Sequence, residues 1–226
     1  MKRYLLMLVF LFLMLIALGN YLFGLYHANS TFEQIRQKLM LIASSSTVSI
    51  STDEVLKVPL EQRSEGTADY MVIYDKLVKI KEANPAFIKY VYIMTATDQP
   101  GILQYVVDAD PVPEIITAKC PTSLPGDQYD ARKQPEMLNA YNGPSADKKI
   151  TSDEWGVFIS GYAPIRDESG KTVAILGVDT GAEEVDKAHQ KLKQAGFVLL
   201  LTVILFLMSF VSLVRFPSLF SPPPGA

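Results

Sequence analysis

The chain has 226 residues, 49% of them hydrophobic, a mean hydropathy of +0.17 and a formal net charge of −3. A single cysteine, Cys120, excludes an internal disulfide and any multi-cysteine zinc site. The only histidines, His27 and His189, lie close to two long apolar runs, leaving none for a Ser-His-Asp triad or a His-rich metal centre between them.

Residues 4–26 contain no charge over 23 positions, and residues 196–214 contain none over 19. About 20 apolar residues at 1.5 Å rise cross a hydrocarbon core of roughly 30 Å, so both runs are long enough to span. The first reads as an uncleaved anchor: it exceeds a signal peptide's apolar region, and "HAN" (27–29) is only a poor cleavage site. Lys2 and Arg3 before the first run and Arg215 after the second place both termini in the cytoplasm. Lys187, Lys191 and Lys193 argue weakly the other way, but a long translocated segment largely escapes that rule. The reading is a two-pass protein of the cell membrane. Residues 1–3 are cytoplasmic, 4–26 span, 27–195 are extracytoplasmic, 196–214 span and 215–226 form a Pro-rich cytoplasmic tail. Setting aside Lys2, Arg3 and Arg215, 18 basic residues face 24 acids in the segment between the runs, which makes nucleic acid an unsuitable partner.

After the first run, "STFE" (30–33) reads as a capping box, with Phe32, Ile35, Leu39 and Ile42 at helical spacing to about Ser46, in a helix that either starts there or continues the first run. A second box, "STDE" (51–54), opens a short helix that ends before Pro59. Thr67 caps a helix over 67–85, with Tyr70, Ile73, Tyr74, Leu77 and Ile80 on one face and Asn84-Pro85 as its stop. Residues 87–97 and 101–110 are rich in β-branched and aromatic residues and flank Pro100-Gly101, so they read as a hairpin. Residues 111–153 carry six prolines and no long periodicity, apart from a short helix at "PEMLNAY" with Pro135 in its first turn. A connection of that length is functional or partly disordered. Trp155–Ile165 and Thr172–Asp179 are strands around a turn in which Gly170 needs a positive φ. "TGAE" (180–183) is a third capping box, starting a helix over 182–195 that runs into the second span. The order predicts an α+β domain with a mostly antiparallel sheet and helices on one face.

This layout resembles the extracytoplasmic PAS-like sensor domains of the Cache (PDC) family, which sit between two membrane helices in bacterial and archaeal receptors. Three segments carry the resemblance: "NPAFIKYVYIMTATDQPGILQYVVDADP", "GDQYDARKQPEML" and, above all, "DEWGVFISGYAPIRDESGKTVAILGVD". The resemblance implies a five-stranded central sheet, a long N-terminal helix, a small-ligand pocket, and a C-terminal helix that relays occupancy across the membrane. Such receptors continue into a cytoplasmic signalling module. Here only a tail of about ten residues follows Arg215, so the expectation is either a truncated receptor gene or signalling through a separate transmitter.

Asp179 ends its strand and carries two readings. One is a pocket carboxylate for a ligand amine, the role an acid holds at this strand end in amine-recognising relatives. The other is a helix N-terminus acid worth about 0.3–1 kcal/mol through the dipole. Tyr162 and Trp155 are seven apart and of opposite parity, so at most one faces the pocket without a bulge. Tyr162, with its hydroxyl, is the better candidate, and Trp155 suits core or rim. Tyr90 and Tyr92 share a parity, whereas Tyr105 and Asp108 fall on different faces of their strand. Tyr92, Tyr105 and Asp108 are pocket candidates because polar tips on a buried sheet need partners; simple packing is the competing reading. Asp108 with Asp110, and Asp127, Tyr129 and Asp130, make weak cation sites. Ser160 in "FISGY" lacks the glycine of a nucleophile elbow, and no phosphate loop or His-Glu-x-x-His occurs.

No catalytic residue, metal or cofactor is expected. The expected partners are a small molecule of the amino-acid, amine or organic-acid class, the membrane, a second copy in a homodimer, and a separate cytoplasmic transmitter. The competing reading is an accessory membrane subunit whose domain docks a partner protein.

Overall fold

A computed structural model of the chain describes residues 2–61, 64–110, 123–153 and 156–215. They form two units: a sheet unit, Glu33–Ala182, and a helix unit built from the described parts of Met1–Phe32 and Glu183–Ala226.

Helix α1 runs without a break from Lys2 to Thr47. The box at Ser30 therefore caps nothing. A cap acts where a chain enters a helix and its first N–H groups lack acceptors; here the preceding turn supplies them. The later caps do form. Ser51 accepts from Asp53 N at 3.2 Å while Glu54 Oε2 accepts from Ser51 N at 2.9 Å, starting α2 (Thr52–Lys57). Thr67 accepts from Tyr70 N at the head of α3 (Ala68–Glu82), which buries Tyr70, Ile73 and Leu77.

Strands β1 (Tyr90–Ala96) and β2 (Ile102–Asp108) form one hairpin, and β6 (Gly156–Arg166) and β7 (Thr172–Gly181) form another. The two hairpins join edge to edge through antiparallel β1 and β7. β3 (Gln128–Asp130) extends the β2 edge. Along β6 lie β4 (Ser145–Ala146) and then β5 (Thr151–Asp153), two pieces of one broken edge strand. The order is β3-β2-β1-β7-β6-β4, with β5 also on β6. That exceeds the five strands implied by the resemblance, because two- and three-residue strands leave no period to read. The short helix α4 (Pro135–Asn139) begins on its proline, as expected, and Gly170 has a φ of +85°.

Alternation along the strands gives the sheet two faces. On the back, Val91, Ile93, Val107, Ile159, Leu176 and Val178 are buried, each contributing about 1.5–3 kcal/mol. Helix α1 lies directly on this face. A Cβ added to Gly161 would fall 2.5 Å from Leu39 Cβ and 2.7 Å from the Leu39 carbonyl carbon, so only glycine admits the helix. On the front, Met137 and Ala140 at α4 join Tyr92, Met94, Leu103, Tyr105, Tyr162 and Ile175 in a second core.

β7 continues past Asp179 to Gly181, and α5 (Glu183–Arg215) begins one residue later. Thr180 is thus a strand residue whose hydroxyl donates to the Phe87 carbonyl. The third box read from the sequence is not the start of a helix.

Candidate functional site

The front face opens into a pocket of about 450 Å³ of empty space, counting its mouth. Its floor is laid down by strand register. Tyr92 stands opposite Asp108 on β2 and Gly177 on β7, and Gly177 stands opposite Tyr162 on β6. One rung along, Tyr90 and Ser160 flank Asp179. Gly177 is there for space: a Cβ would collide with the Tyr92 ring, which lies across it.

Asp179, Tyr162, Tyr92, Tyr105 and Asp108, five of the six side chains singled out in the sequence, line this one pocket. The sixth, Trp155, lies outside the described residues. The expectation that Tyr105 and Asp108 point to opposite faces is corrected by the register. Ile93 pairs with Val107 and Met94 with Tyr105, so Val106 is an extra residue in β2. Such a bulge resets the alternation and turns both side chains to the front.

Each carboxylate is buried and held. Asp179 is 3% exposed, and its Oδ1 accepts from the Tyr92 hydroxyl at 3.1 Å. The strand carries on beyond it, so it is a pocket-wall residue and not a first-turn acid of α5. Asp108, 6% exposed, accepts from Asp110 N at 3.0 Å and Ser123 N at 3.1 Å. Burial pushes its carboxyl up to about 7 against the pull of those two N–H groups. Beside the pocket, sequence reading missed Asp147. It is 4% exposed, raised by burial, and accepts from Ser160 N (3.1 Å), the Thr151 hydroxyl (3.0 Å) and, at 3.4 Å, the Tyr162 hydroxyl. Arg36 of α1 grips the Asp147 and Ala146 carbonyls.

The phenols of Tyr92 and Tyr162 are raised well above their ordinary value, by burial first and by the Asp179 and Asp147 charges second. They stay protonated and act as donors. Tyr92 and Tyr105 meet edge to face at 5.7 Å between ring centres. Tyr90, Tyr129, Phe158, Gln134, Met137, Ser123 and Thr151 complete the wall. Phe158 was legible, being four residues from Tyr162 on one strand, and so was Tyr90, two from Tyr92. Tyr129, Gln134 and Met137 come from the aperiodic connection, where the sequence marked Tyr129 only as part of a weak cation site and offered no period to turn the three toward the pocket.

The weak cation sites resolve into local structure. Asp110 pairs with Lys81, Asp127 accepts from Leu124 N, and Asp130 binds the backbone and guanidinium of Arg132. Among the described residues no cluster of three acids, histidines or cysteines could hold a metal ion. Ser160 is a fully buried strand residue. The described lining thus combines two carboxylates with phenol donors and aromatic faces, and contains no lysine or arginine. Chemically it can hold a cation or a hydrogen-bond donor out of water.

No family model and no curated protein matches the chain. Solved structures do. The sensor domain of the Vibrio cholerae histidine kinase DctB is 12% identical, covering 78% of this chain and 58% of that one, with a TM-score of 0.51. The ligand-binding domain of the Campylobacter jejuni chemoreceptor Tlp3, in complex with 4-methylisoleucine, is 15% identical over 78% and 63%, with a TM-score of 0.49. The Escherichia coli DcuS sensor domain is 16% identical over 70% and 96%, with a TM-score of 0.43. The chain spans less than two thirds of the DctB and Tlp3 domains. The chain shares its fold, an antiparallel sheet backed by a long N-terminal helix, with the DctB sensor domain.

Proposed function

We propose that the chain is a membrane-anchored sensor whose sheet unit binds a small metabolite carrying an ammonium group, with Asp179 as its counter-ion. One observation carries this reading: two carboxylates under 10% exposed share a pocket with tyrosine walls and no lysine or arginine among its described lining residues. The ligand's ammonium would receive a charge-assisted hydrogen bond partner in Asp179 and ring faces in Tyr92 and Tyr105.

Two apolar helices long enough to cross a bilayer support a sheet unit held outside the cytoplasm. Only Gly181 and Ala182 stand between Thr180 and the first turn of α5, so a shift of the Asp179 end of β7 has two residues in which to dissipate. α5 then carries the displacement along 33 residues. Relay of occupancy along α5 is the output this geometry serves.

The test is a thermal-shift screen of the full chain in detergent against amines, amino acids and organic acids. A ligand at about 100 times its Kd adds about 2.7 kcal/mol of stability. The reading expects amine-bearing hits that Asp179→Asn abolishes. Hits confined to organic acids, or no hit in any class, would overturn it.

A further inference from the structure

The helix unit carries a cleft of its own. α1 and α5 approach closely where a Cβ on Gly24 would meet Leu192 Cδ1 at 3.6 Å and one on Gly196 would meet the Tyr21 ring at 3.4 Å. Beside that approach lies about 1370 Å³ of empty space, counting its open side. Its wall changes character along the helix axes. Phe23, Gly24 and Val198 belong to the uncharged runs, whereas His27, Lys187 and Lys191 lie just beyond their ends. No acid lines it.

Lys187 and Lys191 are four apart on α5 and share one face. Both are exposed, and neither has an ion-pair or hydrogen-bond partner among the described residues. Their level is fixed by the apolar runs, whose outer ends meet the headgroup layer when the helices cross a bilayer. Lysines at such a level commonly reach toward headgroups without selecting among them. Here two of them share the wall of a built recess whose other end joins Phe23 and Val198 to a single amide, Asn20, so one recess offers both a phosphate and an acyl chain their contacts.

We propose that this cleft binds an anionic phospholipid, with its phosphate at Lys187 and Lys191 and its acyl chains along Phe23 and Val198. The proposal rests on the apolar runs crossing a membrane and is independent of what the sheet unit binds. A lipid held there touches α1 and α5 at once, so its binding bears on any movement of one helix past the other.

Native mass spectrometry of the full chain in non-ionic detergent, titrated with phosphatidylglycerol or phosphatidylcholine of identical acyl chains, tests it. The wild type should retain about five-fold more phosphatidylglycerol. Lys187→Ala combined with Lys191→Ala should bring retention down to the phosphatidylcholine level. Lys193→Ala removes a charge from the same helix outside the cleft wall and should leave retention unchanged. Equal retention of the two lipids, equal loss in Lys193→Ala, or a lipid-free dimer as the sole species would overturn the proposal. Recovery of the chain in the soluble fraction without detergent would overturn the membrane reading beneath it, a failure that lipid selectivity alone would not produce.

Discussion

The two faces of the sheet are built from the same strands by opposite rules. The back face is filled by aliphatic side chains and an α1 backbone resting on Gly161, with no polar tip to satisfy. The front face carries tyrosines and carboxylates, each in a hydrogen bond, around unfilled space. A face selected only for stability would close that space and remove those charges, since buried ionic groups commonly cost more than apolar replacements of similar shape. The back face holds the fold together, and the front face keeps polar groups around open space.

The largest effect should come from the back. Gly161→Leu drives a side chain into the α1 backbone at Leu39, where a rotamer change gives no relief. Overpacking costs about 1–3 kcal/mol when side chains alone must move, and against backbone about 3 kcal/mol or more is expected. In a thermal melt that is a fall of roughly 6–12 °C. An unchanged midpoint would mean that α1 does not seat on the sheet.

The front face should respond in the other way. Asp179→Asn keeps the shape and removes the charge, so stability should stay within about 1 kcal/mol or rise. Affinity for an amine ligand should drop about 10- to 100-fold, the worth of a charge-assisted hydrogen bond. Calorimetric titration beside a melt separates the two quantities. A variant that unfolds as readily as Gly161→Leu would make Asp179 a structural residue.

How much of this contrast was legible follows from strand length. The long strands β1, β2, β6 and β7 display their period, and parity along them singled out Tyr92, Tyr162 and Asp179. Parity failed at Val106, because a bulge is a property of the pairing of two strands and has no signature within one of them. It had nothing to work with at Asp147, which follows an edge strand of two residues, Ser145–Ala146. Capping chemistry read at Ser51 and Thr67 held, since those residues precede real helix starts. At Ser30 and Thr180 the same letters sit inside a helix and inside a strand, where the backbone groups a cap would serve are already paired.

Acidity offers a third probe. Burial holds the Asp108 carboxyl at about 7, well above the roughly 3.9 of an exposed aspartate. The folded chain therefore keeps a proton that the unfolded chain has released between those values. Stability from this group is full below about pH 4 and is lost as pH rises through 7. The wild type should lose about 1–2 kcal/mol relative to Asp108→Asn between pH 5 and 7, read from urea melts at each pH. A difference that does not change with pH would place Asp108 in contact with water.

The smallest effect should be at Tyr92, where the two faces' rules meet in one side chain. Its ring packs over Gly177 as back-face residues pack, and only its hydroxyl, donating to Asp179 across 3.1 Å, belongs to the polar face. Tyr92→Phe keeps the first contribution and removes the second. The distance is long for an O–H···O bond, so the loss should be near 1 kcal/mol of stability. Freed from that donor, Asp179 becomes a better acceptor for a cation but a less fixed one, and these effects oppose each other in affinity. A change in amine affinity below about five-fold, with a melt lowered by 2–4 °C, is expected. A loss as large as that of Asp179→Asn would show that the hydroxyl itself contacts the ligand, and would move Tyr92 from the wall of the pocket into its recognition chemistry.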